Sequence, residues 1–496
     1  MRDFLVTLKR DAPESLQSQL RRHLVAAILD GRLPPDERLP SCRQLASRLG
    51  LSRNTVVLAY QALVDEGYLV PRERSGFFVD AAILDHRAEA PFAPATRRAR
   101  EADAFRRKFH KRLSAQAQII KPMGWQKYRF PFIYGQIDPD LFPIAAWREC
   151  SREALSVGAI RQWSLDSFSE DDPLLVEEIR TRVLPSRGVQ AVSEEILITM
   201  GAQNALYLLA TLLAGRKTKV GFENPGYVDA RNIFDFAGAT LVPLAVDGDG
   251  LIPDGRVTDC DYIYVTPSHQ SPTTVTMPQD RRRVLLDLAE RHDFYLIEDD
   301  YEAETNYASR PTPALKSMDE GNRVLYVGSV SKNLAPGLRL GYLVGPADLI
   351  EEARSLRRLM LRHPPSNNQR VMALFLSAGH YDALIHRLHR TYRARWEAMA
   401  GALAHHLPES TRPSSFGGTS FWIAGPPELD ATALAERALD EGIIIEPGAV
   451  HFMEARPPLN FFRLGFSSIR VERIAPGIER IAELIGELAA DRAPNA

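Results

Sequence analysis

Between Leu325 and Val344 the chain reads LYVGSVSKNLAPGLRLGYLV. A short apolar strand pattern breaks at Gly328, Ser329 and Ser331 lead to Lys332, and a Pro336-Gly337 turn brings the chain to Arg339 before a second apolar run. A primary amine beside two hydroxyls, with a guanidinium close behind, suits a ligand that carries both an aldehyde and a phosphate. The amine condenses with the aldehyde, while the hydroxyls and guanidinium hold the dianion. Pyridoxal 5'-phosphate (PLP) is such a ligand. Upstream, Phe294-Tyr295-Leu296-Ile297 reads as a buried strand ending in Glu298-Asp299-Asp300-Tyr301. A carboxylate at the C-terminal end of such a strand can pair with a protonated pyridine nitrogen and make the ring an electron sink. A tyrosine two residues on can donate to the ring's phenolic oxygen.

The elements that position these groups are legible as alternating patterns from about residue 129 onward. Apolar runs at 196–199, 219–222, 262–266, 294–297 and 325–327 alternate with amphipathic stretches such as 203–213 and 281–291, which predicts an α/β body. Ligands bind at the carboxyl ends of strands in such a body. After the first run, Gly201-Ala202-Gln203 opens a helix whose free N–H groups can take phosphate. Past the second, Tyr227 offers a ring to stack on a pyridine face, and Asp229 stands two residues beyond it. Near the C-terminus Arg463 lies among apolar neighbours, and a buried guanidinium requires an anion, for which a ligand carboxylate is a natural choice. In this order and spacing the segments resemble the fold-type-I PLP enzymes, the aspartate aminotransferase superfamily, with its smaller C-terminal α+β subdomain.

The front of the chain has a different character. Residues 1–80 carry 12 basic and 10 acidic side chains, residues 81–130 carry 12 and 4, and the remainder carries 37 and 49, so a basic front precedes an acidic body. That asymmetry points to an anionic partner, with nucleic acid first. Leu16, Leu20, Leu24, Ile28 and Leu29 recur at helical spacing; Ser41 caps a second helix and, after a turn at Gly50, Ser52 caps a third. Two short strands around Arg72, Arg74 and Gly76 complete a winged helix-turn-helix over residues 1–80. The run LPSCRQLASRLGLSRNTVVLAYQALVDEGYL followed by SGFFV resembles the DNA-binding domain of GntR-type bacterial regulators. By that resemblance Arg43, Arg53, Asn54, Thr55 and Gly76 contact double-stranded operator DNA. Arg74 stands where the family usually has glycine. Residues 81–128 read as a basic linker, with Phe105, Phe109 and Leu113 spaced for a short helix.

No long uncharged apolar run and no leader pattern is present, which excludes a membrane span and predicts a cytoplasmic protein. Cys42, Cys150 and Cys260 are far apart with no histidine pattern, so neither disulfide framework nor metal site is indicated.

A GntR-type winged helix joined to an aminotransferase-like domain (residues 129–496) resembles the MocR, or GabR-like, subfamily of transcription regulators, over nearly the whole chain. The resemblance implies Lys332 as the Schiff-base lysine, Asp299 as partner of the pyridine nitrogen and Tyr301 as donor to the phenolic oxygen. It assigns Ala202, Gln203, Ser329, Ser331 and Arg339 to the phosphate, Tyr227 to ring stacking and Arg463 to the ligand's acid group. It also implies a domain-swapped homodimer. In such a protein an amine or amino-acid effector forms an external aldimine in place of Lys332 and alters DNA binding. A working aminotransferase with a DNA-binding appendage and a sensor of PLP itself are the alternatives. Many relatives carry an aromatic residue and then Pro-Thr-Gly or Pro-Ser-Gly where this chain has Ser271-Pro272-Thr273-Thr274, which predicts a differently shaped pocket. The stretch 159–173 lacks the Tyr-Gly-x-Pro-x-Gly pattern usual in aminotransferases, which argues against efficient turnover.

Overall fold

The computed structural model describes residues 8–83, 108–302, 304–306, 312–408 and 417–492. They divide into two compact units, Met1–His110 and Lys111–Ala496.

In the smaller unit, helices α1 (Leu16–Leu29), α2 (Cys42–Leu49) and α3 (Arg53–Asp65) precede a hairpin of β1 (Leu69–Arg72) and β2 (Gly76–Val79). The helix ends follow local chemistry. The Ser41 hydroxyl accepts from the Gln44 amide at 3.3 Å while the Ser41 amide donates back to Gln44 Oε1 at 3.0 Å, a reciprocal cap. Gly50 ends α2 in the left-handed conformation at φ 62°. Leu20, Leu24, Ile28, Leu45, Val56, Ala59 and Leu63 form the buried core, and the buried Tyr60 donates its hydroxyl to the Pro40 carbonyl at 2.9 Å. At the hairpin tip Arg74 has φ 60°, which explains the glycine usual there: glycine meets no Cβ penalty in that region.

The larger unit is built on an eight-stranded sheet. In chain order its strands are β3 (Ile196–Thr199), β4 (Lys219–Asn224), β5 (Thr240–Asp247), β6 (Gly250–Leu251), β7 (Tyr262–Val265), β8 (Tyr295–Asp300), β9 (Val324–Ser329) and β10 (Gly341–Val344). They lie in the order β3-β10-β9-β8-β7-β4-β5-β6. The run from β9 to β5 is parallel, whereas β10 is antiparallel to both its neighbours and β6 to β5. Strands buried on both faces read as unbroken apolar runs, as Ile196, Leu197 and Ile198 do. All five expected strands are present. However, β8 continues through Asp300 and β9 through Ser329, so residues expected to follow these strands form their ends. A three-stranded antiparallel sheet of β11 (Ser420–Ala424), β12 (Glu446–Pro447) and β13 (Phe461–Gly465) lies nearer the C-terminus, with β13 in the middle. Its Phe462 and Leu464 join Tyr392, Met399, Ile474 and Ile478 in one core.

The connector from Lys111 packs within this unit. Lys111 donates to the Phe236 carbonyl, and Asn232 Nδ2 donates to the Ala117 carbonyl at 2.7 Å. Of the short helix expected on Phe105, Phe109 and Leu113, Phe105 lies outside the described residues, as do positions 97–107 of the basic run. Phe109 and Leu113 are exposed, and only a 3-10 turn, Leu113–Ala115, forms there.

Candidate cofactor and effector site

The carboxyl ends of β3, β8 and β9 open into a cavity of about 390 Å³, within the range of small-molecule sites. Its wall contains Ala202, Gln203, Tyr227, Asp299, Tyr301, Ser329, Ser331, Lys332 and Arg339, all the residues expected at a PLP site other than Arg463.

Lys332 follows the turn after β9. Its Nζ donates to the Tyr134 hydroxyl at 2.9 Å and lies 3.7 Å from Glu302 Oε1 and 4.2 Å from the Tyr301 ring centroid. Burial pushes its pKa down to about 8, against the pull of Glu302 and Asp299. At the end of β8 the pleat sorts three consecutive acids. Glu298 and Asp300 share one face: Glu298 accepts from the Leu315 and Lys316 amides at 2.7 and 2.8 Å, and Asp300 pairs with Arg187 at 2.8 Å. Asp299 points the other way, to the cavity. Its Oδ2 accepts from the Tyr264 hydroxyl at 2.8 Å, and its buried Oδ1 has no partner among the described residues. Burial raises its pKa to about 6. An orphaned carboxylate oxygen in such a wall is what a protonated pyridine nitrogen needs, so Asp299 fits PLP.

The opposite end fits a phosphate. Gly201, at φ 76°, opens the helix α4 (Ala202–Leu213), whose first amides have no carbonyl within the helix to bond. A Cβ at Gly201 would stand 3.1 Å from the Arg339 guanidinium, so the glycine keeps that approach open. Arg339 donates to the Met200 carbonyl at 3.1 Å. The Ser331 hydroxyl is engaged by Leu340, donating to its carbonyl at 3.0 Å and accepting from its amide at 3.1 Å. Ser329 makes only a long contact of 3.4 Å to the same carbonyl.

Three further groups have partners within the protein. The Tyr301 hydroxyl donates to the His269 carbonyl at 2.8 Å, and Tyr227 donates to Asp229 at 3.2 Å. Arg463 is buried and ion-paired with Glu446, with its guanidinium carbon 3.7 Å from the Tyr134 ring centroid. It reaches the cavity through Tyr134 and does not line it. The stretch 159–173, which departs from the aminotransferase pattern, continues the helix Val157–Trp163 and then forms a loop whose Asp172 caps the helix Pro173–Glu178. Tyr134, Glu302 and Lys121 were not legible as site residues. Tyr134 is 198 residues from Lys332, in an apolar run with no local mark of chemistry.

In the smaller unit Arg43, Arg53, Asn54 and Gly76 are exposed, with Thr55 half-buried. Ser52 caps α3, accepting from the Thr55 amide at 3.1 Å, which leaves Arg53 and Asn54 projecting from the first turn as a major-groove reading helix requires.

Residues 16–79 match the family of bacterial regulatory proteins, gntR family, and residues 140–481 match aminotransferase class I and II. The HTH-type transcriptional regulator TauR of Rhodobacter capsulatus is 46% identical over 471 residues, which is 95% of this chain and 96% of TauR. The probable rhizopine catabolism regulatory protein MocR of Rhizobium meliloti is 31% identical over 519 residues, 99% of each chain. The chain belongs to the MocR-type transcription regulators. As a MocR-type protein it regulates transcription through a GntR helix-turn-helix and carries an aminotransferase fold as its second part. That fold resembles LysN, an α-aminoadipate aminotransferase of Thermus thermophilus solved with N-(5'-phosphopyridoxyl)-L-leucine. The TM-score is 0.69 at 27% identity, over 78% of this chain and 99% of LysN. An archaeal alanine:glyoxylate aminotransferase gives 0.68 at 25% identity, over 78% and 94%.

Proposed function

We propose that this MocR-type regulator binds PLP in the cavity at the ends of β8 and β9 and reads the concentration of a small amine or amino acid there. The observation that carries the reading is the pairing of Lys332, whose amine opens on the cavity with a lowered pKa, with the unpartnered Asp299 Oδ1 in the same wall. Bound there, PLP supplies an aldehyde carbon to which primary amines add and a ring that draws off electron density.

The protein's residues do the rest. Asp299 holds the pyridine nitrogen, and Tyr264 fixes the carboxylate that does so. The Ala202 and Gln203 amides, Ser329, Ser331 and Arg339 hold the phosphate, while Tyr227 covers the ring. Lys332 would supply the amine beside the aldehyde, and Tyr134 and Glu302 would hold that amine as the ammonium when an effector's amine takes its place. An effector that binds one arrangement of the large unit better than another shifts the population, and with it the spacing of two DNA-binding heads. Two heads require a homodimer, which the family resemblance implies to be domain-swapped, and a protein that works on operator DNA works in the cytoplasm.

The test is the visible absorption spectrum of the purified full-length protein beside Lys332→Ala, titrated with amino acids, amino sulfonates and plain amines. An absorption band that requires Lys332 and shifts with one amine supports the reading. No band in either protein refutes it.

A further inference from the structure

Three basic residues line the cavity: Lys332, Arg339 and Lys121. The first two have roles toward PLP, whereas Lys121 comes from the connector that precedes the aminotransferase fold. Its ammonium lies 5.9 Å from the centroid of the Tyr134 ring, and Lys332 Nζ lies 4.8 Å from the same centroid. It rests against Gly135, where a Cβ would stand 3.1 Å from it; Gly135 has φ 68°, so its lack of a side chain serves both backbone and ammonium. Lys121 makes no hydrogen bond or ion pair with any described residue, although Lys332 has Glu302 and Arg463 has Glu446. At the cavity wall its ammonium feels the charges of Glu446, Arg463, Asp229 and Lys332.

We infer that Lys121 binds the acid group, carboxylate or sulfonate, of an amino effector whose amine occupies the place of Lys332. The inference rests on the proposed PLP site. Arg463 is neutralised by Glu446, so an acid group arriving beside Tyr134 brings a negative charge that a further cation has to balance. Lys121 is that cation, and the residue as a whole is exposed, which leaves it reachable from solvent. Its place in the connector adds a consequence. Ile119 also lines the cavity, and the segment before it is tied by Ala117 to Asn232 and by Gln116 to Asp235. An acid group held by Lys121 therefore anchors the connector that leads back to the DNA-binding unit.

The experiment uses full-length PLP-loaded protein, Lys121→Gln and Lys121→Arg, titrated with 2-aminoethanesulfonate, 3-aminopropanoate and 4-aminobutanoate, and with ethylamine and butylamine as acid-free controls. Half-saturation is read from the cofactor's absorption, and hydrogen exchange is followed over residues 113–121. For the acid-bearing amine that binds wild type best, Lys121→Gln is expected to raise half-saturation about tenfold, with ethylamine unchanged and Lys121→Arg within about threefold of wild type. That amine slows exchange over 113–121 in wild type and not in Lys121→Gln. Equal effects on acid-bearing and acid-free amines, no effect on either, or loss of PLP itself from Lys121→Gln overturns the assignment and leaves the PLP site standing. Wild-type protein that responds to no amine at all overturns both.

Discussion

Glu446 and Arg463 stand directly opposite one another on the antiparallel strands β12 and β13, and their side chains form an ion pair from which water is almost wholly excluded. Removing one member of such a pair leaves a bare charge in the interior. Glu446→Gln is expected to cost about 3–5 kcal/mol in chemical denaturation, with the double change Glu446→Leu, Arg463→Met recovering most of it. Burial alone would raise the Glu446 pKa, but Arg463 and His451 overcome it and hold it at about 2, against an ordinary 4.5. Its contribution is therefore complete above about pH 4.5 and fades as pH falls toward 2. Denaturation across that window shows an acid limb in wild type that shrinks in Glu446→Gln.

Two adjacent acids on β8 should fail in different ways. Asp299→Asn keeps the bond from Tyr264 but gives the pyridine nitrogen a neutral partner, so PLP retention on dialysis falls by about tenfold or more while thermal stability holds. Asp300→Asn strands the buried Arg187 and costs about 3–5 kcal/mol of stability. Melting curves with and without PLP separate the two.

An amine such as that of Lys332 adds to an aldehyde only in its neutral form. With its pKa near 8, the rate of PLP loading into cofactor-free protein rises about tenfold per pH unit up to about pH 8 and then levels. Tyr134→Phe removes the oxygen that accepts from the ammonium, which disfavours the charged form. The break then moves to lower pH by up to about one unit. Stopped-flow loading across pH 6 to about 10 measures both.

On the DNA side, Arg53→Ala is expected to weaken binding by about 1–3 kcal/mol on a fragment selected by the wild-type protein from random DNA, and less on unselected DNA. Arg74→Ala, at the wing tip, lowers both affinities alike and reduces the salt slope by about 1. Ser52→Ala removes the cap of α3 and costs about 1 kcal/mol of stability in the DNA-binding unit. Fluorescence anisotropy at several salt concentrations, with a melting curve of each variant, distinguishes the three.

What could be read without the structure was whatever depends on near neighbours. Ser41 and Ser52 announce the helices they cap because a hydroxyl reaches an amide three residues on. Lys332, Asp299, Tyr227 and Gly201 announce a site because apolar periodicity marks where buried strands end, and ligands gather at those ends. Arg74 and Thr274 were conspicuous as non-glycine residues at positions where relatives have glycine. The backbone gives the reason, with φ 60° and 64° at the two sites.

Residue order alone makes legible a helix-turn-helix ahead of an α/β body, with an amine, an acid and a glycine-opened helix at the body's strand ends. Which charge meets which depends on contacts between distant segments. The register of β12 against β13 gives Arg463 to Glu446, the pleat of β8 turns Asp299 to the cavity and Asp300 to Arg187, and a segment far upstream brings Tyr134 and Lys121 to Lys332. Caps and periodicity are set by interactions within a few residues, whereas the neutralisation of a buried charge depends on strand register and desolvation summed over distant parts of the chain.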